Sequence, residues 1–231
     1  IDWSKVDATV VVSQHMKRRL LDVAAIPPLS LHVINYGVNL KRFHPSSRTF
    51  QYRIGMACRI TPIKRVYEAV LCLFELRQQG YPFTLHLAGK LGDEQSPRYP
   101  LSLLSLVEKL GLTNEVFLYG HIDDIARWYH DLDIFLSNSY WEGQQNALLE
   151  AMASGCYCLS HCWGGAEEVL PQENIFVTDA DLQARLLFYA ALSSAEGQNA
   201  QAHMRAIAEA KFDERRMVRE IIDRIEQVAG G

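Results

Sequence analysis

Eight short apolar runs recur along the first three quarters of the chain, and most of them are rich in β-branched or aromatic residues. Runs of this length and composition are typical of buried β-strands. The predicted strands are ATVVVS (8–13), LHVINY (31–36), YRIGMAC (52–58), FTLHLAG (83–89), EVFLYG (115–120), DIFLSN (133–138), CYCLSH (156–161) and NIFVT (174–178).

Helical spacing of apolar residues fills the intervals between these runs. Alternation of strands and helices is typical of a parallel sheet that is covered on both faces. The pattern therefore predicts an α/β fold, a Rossmann-like doubly wound parallel sheet. The predicted helices are 63–79, 98–110, 124–130, 146–154 and 166–170.

From about residue 181 the strand pattern stops and three helical segments follow, the last with Met217, Ile221 and Ile225 at four-residue spacing. We expect a C-terminal helical tail packed against the sheet domain. The phrase YGVNLKRFHP (36–45) is polar and ends in proline, which is typical of a connection. We therefore expect a boundary near residue 46, with one unit at 1–46 and a second at 47–231.

Charge and hydropathy exclude several classes of partner. The 231 residues carry a net charge of -4 with a pI near 6.1, so no basic excess suggests nucleic acid. No apolar run approaches the roughly 18–20 residues of a spanning helix, and we expect a cytoplasmic protein.

Lys17, Arg18 and Arg19 lie together in a predicted helix at 14–25. They favour a solvated surface, with peripheral contact at the inner membrane face as the alternative.

Five cysteines, an odd number, lack the spacing of a disulfide framework, which indicates a reducing compartment. A metal site is a further possibility to weigh at Cys156, Cys158, His161 and Cys162. The first two fall in a strand-like run, whereas structural zinc usually needs two-residue gaps on a turn. We therefore predict buried free thiols here and no metal.

Candidate chemistry lies in the loops that follow strands, because ligands bind at the carboxyl ends of parallel strands. In WEGQQNALLEAMASG (141–155), Asn146 is predicted to cap a helix whose free N–H groups near residues 144–148 face the cleft and favour an anion. Glu150, one turn further along, would accept the hydroxyls of a ribose. Glu142, just before the helix, would meet sugar hydroxyls or a developing positive centre.

Two neighbouring loops would complete this site. In ACRITPIK (57–64), Arg59 and Lys64 could neutralise a diphosphate without a metal ion. In YGHIDD (119–124), the backbone at His121 and Ile122 is suited to a nucleobase edge.

These motifs together resemble the GT-B retaining glycosyltransferases, and within them family GT4 (glycosyl transferases group 1). EGQQNALLEAMASG resembles the family's Glu-x7-Glu segment, and Arg59 and Lys64 match its arginine and lysine. GGAEEVL (164–170) is similar to its Gly-Gly-x-x-Glu-Val, in which Gly164 and Gly165 fit a tight turn, a phosphate-facing loop or both. YGVNLKRFHP resembles the interdomain phrase. In order and spacing the matches cover nearly residues 10–180.

The resemblance implies a role for each matched residue. Arg59 and Lys64 would hold the donor diphosphate, Glu150 the ribose and Glu142 the donor sugar, with Glu142, Arg59 and Lys64 as the catalytic set. The implied reaction transfers a sugar, with retention, from a UDP- or GDP-linked donor to a glycan or lipid-linked acceptor in polysaccharide biosynthesis, without cofactor or metal. The phosphates would lie along the backbone of Gly143, Gln144, Gln145, Asn146, Ala147 and Leu148.

The chain departs from the family pattern in four places, which concern the donor sugar more than the diphosphate. Cys58 and Arg65 stand where glycine is frequent, and Gln144 and Gln145 replace a frequent Phe-Gly. The family also has an acceptor-binding N-terminal domain, of which residues 1–46 match only the last part. We therefore expect the donor-binding half of the enzyme. The alternatives are a non-catalytic nucleotide-sugar-binding module and a sugar-nucleotide epimerase of the same fold.

Overall fold

All eight predicted strands form in the computed structural model, which describes residues 1–230 apart from the side chain of Ser4. Every strand pairing is parallel. The strands are β1 (Thr9–Val11), β2 (Leu31–Val33), β3 (Arg53–Ala57), β4 (Thr84–Ala88), β5 (Val116–Gly120), β6 (Ile134–Ser137), β7 (Tyr157–His161) and β8 (Ile175–Phe176).

Six of these strands form one sheet in the order β5-β4-β3-β6-β7-β8. Strand order runs outward in both directions from the centre, where Ile54 of β3 pairs with Ile134 of β6. Ligands of doubly wound sheets bind at such a switch point, outside the carboxyl ends of the strands. The loops that follow β3 and β6 therefore lie side by side at the expected site.

Strands β1 and β2 form a separate two-stranded sheet in which Thr9 pairs with Leu31. A small apolar cluster of Val11, Ile26 and Leu31 supports it. The first 46 residues therefore have their own sheet and core, and the domain boundary near residue 46 stays a prediction.

The helices match the predicted segments to within a few residues, except that the one expected from AQAHMRAIAEA (200–210) begins six residues early, at Ser194. In that helix Ser193 and Glu196 form a capping box, which starts the helix in a polar stretch without apolar periodicity. The helices are α1 (Gln14–Val23), α2 (Val66–Gln78), α3 (Tyr99–Lys109), α4 (Ile125–His130), α5 (Asn146–Ala153), α6 (Ala166–Val169), α7 (Asp179–Ala190), α8 (Ser194–Lys211) and α9 (Glu214–Ala229).

Apolar cores cover both faces of the six-stranded sheet, as a doubly wound fold requires. One core joins side chains of α2, α3 and α7, including Leu73 and Leu186, to the sheet. The other joins α4, α5 and α8, including Leu148 and Met204, to the opposite face. The predicted fold class is confirmed.

The C-terminal tail divides into two parts. Helices α7 and α8 pack on the sheet domain as predicted, through residues such as Leu182 and Ala208. Helix α9 does not: it has no buried residue, and Ile221 and Ile225 line a cavity of about 540 Å³ beside residues 5–10. The prediction is wrong for α9 because Val38 pairs with the chain on both sides of Asp213 and turns the helix towards the first 46 residues.

No helix within residues 1–230 combines the length and the hydropathy that a bilayer crossing requires.

Candidate functional site

Two loops are joined at the switch point of the sheet. The backbone N–H of Tyr140, after β6, donates to the carbonyl oxygen of Ile63 at 2.9 Å. The amide nitrogen of Asn138 donates to the carbonyl oxygen of Arg65 at 2.8 Å. Lys64 ends a short 3-10 turn between these contacts, so its side chain is presented to the loop after β6.

Lys64 and Glu142 form an ion pair across these loops. The ammonium nitrogen lies 2.5 Å from Glu142 Oε1, and the two side chains are 15% and 13% exposed. The hydroxyl of Ser139 donates to the same oxygen at 2.6 Å. Glu142 Oε2 has no hydrogen-bond partner within the described chain, so it can accept a bond from a ligand. Ser139 was missed, although its place in the same loop was a usable signal.

Helix α5 begins beside this pair, at the first residue of the predicted segment 146–154. Asn146 is its first residue and Gln145 occupies the cap position without a side-chain bond, so the prediction of Asn146 as the cap is wrong. The backbone is extended at Gln145 (φ -91°, ψ 110°), and that conformation fixes the start of the helix. The N–H groups of Asn146 and Ala147 donate to no group in residues 1–230, whereas Leu148 bonds to the Gln145 carbonyl. These free donors at the positive helix end can bind an anion.

The two glutamines before α5 are almost buried, at 7% and 9% exposure. Gln144 Oε1 accepts the backbone N–H of Tyr36 at 2.7 Å, which ties the loop to the connection at 36–45. Gly143 lies close to Val12, because a Cβ built on it would stand 3.3 Å from Val12 Cγ2. The segment between Glu142 and α5 therefore contacts the first 46 residues.

Glu150 faces a different set of partners, which sequence reasoning missed. Its Oε2 accepts the hydroxyl of the fully buried Tyr129 at 3.0 Å. Burial raises the pKa of Glu150, and the hydrogen bond from Tyr129 partly offsets that rise. The carboxylate lines a polar cavity of about 260 Å³ together with Asn39, Arg42 and Asn146. Nothing in the apolar pattern of 124–130 distinguished Tyr129 from an ordinary core residue.

Arg59, in the loop after β3, has a partner outside the Lys64–Glu142 pair. Its side chain is 62% exposed, and Nη1 is 3.7 Å from Asp93 Oδ2. Both residues line a cavity of about 580 Å³ together with Thr61 and Ile63. No hydrogen bond or ion pair within residues 1–230 joins Arg59 to Lys64 or Glu142.

The remaining predicted residues contribute packing as well as backbone. Leu148 is completely buried, and Ala147 and Ile122 pack against the core on the α5 side of the sheet. Of the predicted side chains, the structure joins Lys64 directly to Glu142, while Arg59 and Glu150 have separate partners.

The Gly-Gly motif contacts helix α1. A Cβ on Gly164 would stand 2.2 Å from Nε2 of His15, and Gly165 has a φ of +98° that favours glycine. Glu168, four residues after Gly164, accepts the backbone N–H groups of Gln14 and His15. The motif makes both a tight turn and a close approach to the first 46 residues.

Cys156 and Cys158 are buried free thiols, as predicted, and burial raises the pKa of both. Cys162 is exposed instead, because it lies just beyond the end of β7. Within residues 1–230, no three His, Cys, Asp or Glu side chains are grouped as metal ligands.

Comparison with known proteins identifies a family. The family model of Glycosyl transferases group 1 matches residues 51–193. The lipopolysaccharide core biosynthesis mannosyltransferase LpcC of Rhizobium leguminosarum bv. viciae is 28% identical over 192 residues, which are 75% of this chain and 54% of that protein. Protein CapJ of Staphylococcus aureus is 26% identical over 111 residues, 47% of this chain and 27% of CapJ.

Solved structures share the fold. A glycosyltransferase from Rickettsia africae ESF-5 superposes with a TM-score of 0.87 at 22% identity, over 97% of this chain and 64% of that one. Anabaena HepE in complex with UDP and glucose gives a TM-score of 0.86 at 18% identity, over 96% of this chain and 63% of HepE. The chain thus spans less than two thirds of the length of these proteins.

Proposed function

The chain belongs to the group 1 glycosyl transferase family, and from that premise we propose that it is the donor-binding half of a retaining glycosyltransferase. In this proposal a hexose passes from a UDP- or GDP-linked donor to a glycan or lipid-linked acceptor. Residues 47–231 would bind the donor, and residues 1–46 would be the last part of an N-terminal domain that binds the acceptor.

The main support is the Lys64–Glu142 pair at the switch point, next to the unbonded N–H groups that open α5. A diphosphate in front of the helix would receive hydrogen bonds from Asn146 and Ala147 and share the ammonium of Lys64 with Glu142. Glu142 Oε2, which is free in the described chain, would accept a hydroxyl of the donor sugar.

Glu150 would hold the ribose. A buried carboxylate is costly to ionise, and two ribose hydroxyls would supply donors that stabilise its charged form. Tyr129 already donates to Oε2 and fixes the orientation of the carboxylate. The backbone at Ile122 would contact the base.

Arg59 would join the site when the donor binds. Its exposed pair with Asp93 is of a kind that contributes only about 0–1 kcal/mol. A diphosphate carries more charge than one carboxylate and matches the fork of the guanidinium, so it would compete for Arg59.

The proposed sugar transfer depends on stabilising the charges that develop as the donor bond breaks. Departure of the nucleoside diphosphate leaves an oxocarbenium-like sugar and builds negative charge on the leaving oxygen. Lys64, Arg59 and the start of α5 would stabilise that charge, and loss of one such donor typically raises the barrier by about 3 kcal/mol. Glu142 would face the positive sugar. No metal or cofactor is needed in this proposal.

The relatives support the donor and acceptor classes. HepE structures hold UDP and UDP-glucose, which supports a nucleotide-sugar donor. LpcC is a mannosyltransferase of lipopolysaccharide core biosynthesis, which supports a hexose donor and an acceptor that is part of a glycan linked to lipid. Such an acceptor would be met at the cytoplasmic face of a membrane, through peripheral contact.

Nucleotide binding tests the proposal. UDP, GDP or ADP at a hundredfold excess over its dissociation constant should raise the free energy of unfolding by about 2.7 kcal/mol. Lys64→Ala should remove most of this gain, whereas Lys109→Ala, at the exposed end of α3, should keep it. A wild-type chain that no nucleotide stabilises would overturn the proposal.

Transfer is tested in the full-length protein with a panel of nucleotide sugars. Glu142→Ala should bind nucleotide and fail to transfer. Donor binding without transfer in the wild type would instead indicate a non-catalytic module, and release of free nucleotide without acceptor would indicate an epimerase.

A further inference from the structure

Arg65 is a buried cation directly after Lys64. Its backbone φ is +50°, a region that favours glycine. Its side chain is 7% exposed, and neither Nε nor Nη1 has a hydrogen-bond partner in the described chain. Nε has only a long ion pair, with Glu68 Oε1 at 3.8 Å. A left-handed backbone and buried donors without hydrogen bonds both destabilise a fold. Because these features of Arg65 lower the stability of the fold, we look for a further role in the contacts of its side chain.

The guanidinium of Arg65 lies beneath an exposed aromatic ring. Its central carbon is 4.9 Å from the centroid of Tyr140, a distance typical of cation–π attraction. Nη2 is fixed by Asp179 Oδ1 at 2.6 Å. The hydroxyl of Tyr140 donates to Glu68 Oε1 at 3.1 Å. The ring is thus held by its face and by its tip, although 57% of the residue is exposed.

Tyr140 connects this contact to the candidate site, because it stands two residues before Glu142. Its backbone N–H bonds to Ile63, and Asn138 bonds to the backbone of Arg65 itself. A contact that holds the Tyr140 ring in place therefore also restricts the backbone of residues 138–142. This backbone runs from the switch point to Glu142, which is paired with Lys64.

We propose that Arg65 is a positioning residue: its guanidinium, beneath Tyr140, holds residues 138–142 so that Glu142 meets the sugar of the donor. This inference rests on the proposed function, which assigns Glu142 to that sugar. In this proposal Arg65 does not touch the donor itself, because its guanidinium is buried and contacts Glu68, Asp179 and the Tyr140 ring.

Hydrogen exchange of the ligand-free chain tests the contact. Arg65→Gly keeps a residue suited to the positive φ, and Tyr140→Leu removes the ring. Each should speed exchange of the amides at 139–143 about tenfold, and the double variant should add little, because both changes break one contact. Arg77→Ala removes a guanidinium of α2 that is paired with Glu115, and it should leave these amides unchanged. Unchanged exchange in Arg65→Gly and Tyr140→Leu would overturn the proposal.

Binding then separates positioning from a general loss of structure. UDP and GDP should bind Arg65→Gly within about twofold of wild type, whereas UDP-glucose or GDP-mannose should bind about tenfold more weakly. An equal loss for nucleotide and nucleotide sugar, or no loss for either, would overturn the proposal. If wild type binds none of them, the proposed function fails, and the exchange experiment alone decides whether Arg65 holds the loop.

Discussion

Glu168 Oε1 accepts the backbone N–H of His15 at 2.7 Å, across 153 positions of the chain. Its other oxygen accepts the N–H of Gln14 at 2.8 Å, and Ser13 Oγ accepts that of Met16 at 3.1 Å. The first N–H groups of α1 are therefore satisfied partly by a residue of the six-stranded domain. Because α1 belongs to the first 46 residues, this carboxylate ties the two sheets together.

Replacing Glu168 by alanine should weaken that tie. Bonds from N–H groups to a charged acceptor contribute about 1.5–3 kcal/mol, and we expect a loss of that order in the free energy of unfolding. Exchange of the amides at 14–16 should become faster. Glu167→Ala, which removes the exposed neighbouring carboxylate, is the matched control. Equal denaturation curves for the two variants would contradict the role given to Glu168.

Glu150→Gln should stabilise the ligand-free protein at neutral pH. Burial is the main cause that raises the pKa of Glu150 above 4.5 in the folded protein. As pH rises from 4.5 to the folded pKa, the carboxyl ionises in the unfolded state but not in the folded state. The free energy of unfolding therefore falls over this window. Glutamine removes this cost and still accepts the Tyr129 hydroxyl. The gain should vanish below pH 4.5, where both states are protonated. Urea unfolding at pH 4 and 7 measures it.

The same variant should bind nucleotide poorly, since the charged acceptor for the ribose is lost. Hydrogen bonds to charged groups contribute about 1.5–3 kcal/mol, which corresponds to roughly tenfold or more in affinity. Calorimetric titration would show this. Full nucleotide affinity in Glu150→Gln would exclude Glu150 from the nucleotide site.

The strands and the switch point were predictable because their signals are local. Runs such as DIFLSN are largely apolar, as is typical of strands that are buried on both faces. The alternation of these runs with helical segments predicts the doubly wound α/β fold class. The Lys64–Glu142 pair could be anticipated as two loops at one sheet edge. The roles proposed for these residues rest on their chemistry and on the family resemblance, because spacing alone does not give them.

Contacts between distant segments were not predictable. Three hydrogen bonds depend on how the elements pack: Glu168 with α1, Gln144 with Tyr36 and Tyr129 with Glu150. Each of these residue types is ordinary at its own position in the sequence. The course of α9 was missed for the same reason, because its amphipathic pattern does not indicate which apolar surface it faces.

His86 should make the protein less stable in acid. Both ring nitrogens have partners, Thr84 Oγ1 at 2.9 Å and the Tyr119 hydroxyl at 2.8 Å. Burial, and then the charge of Arg53, lowers the pKa of His86 from 6.5 to about 4. As pH falls from 6.5 to 4 the unfolded state takes up a proton that the folded state does not, so stability falls by about 3 kcal/mol over that window.

The variant His86→Gln isolates this effect, because the other titrating groups are the same in both proteins. The difference in free energy of unfolding between pH 7 and pH 4.5 should be smaller in the variant. An identical pH dependence would mean that His86 titrates normally in the folded protein.

Gly37→Ala should displace α9. A Cβ on Gly37 would stand 2.3 Å from the Cα of Glu214 and 2.7 Å from its nitrogen, and backbone atoms cannot rotate away as a side chain can. Forcing extra volume into a close contact costs about 1–3 kcal/mol. Because α9 lies beside residues 5–10, its displacement should also open the cavity there. We expect the free energy of unfolding to fall and the amides of 214–229 to exchange faster.

Gly80→Ala separates this steric effect from backbone strain. Gly80 has a φ of +86° and nothing within 4 Å of its Cβ position, so alanine there costs only the left-handed conformation, about 1 kcal/mol. Exchange in α9 should not change in that variant. If Gly37→Ala behaves like Gly80→Ala in both measurements, the connection at residue 37 does not press against α9. The first 46 residues would still be tied to the six-stranded domain by Glu168 and Gln144.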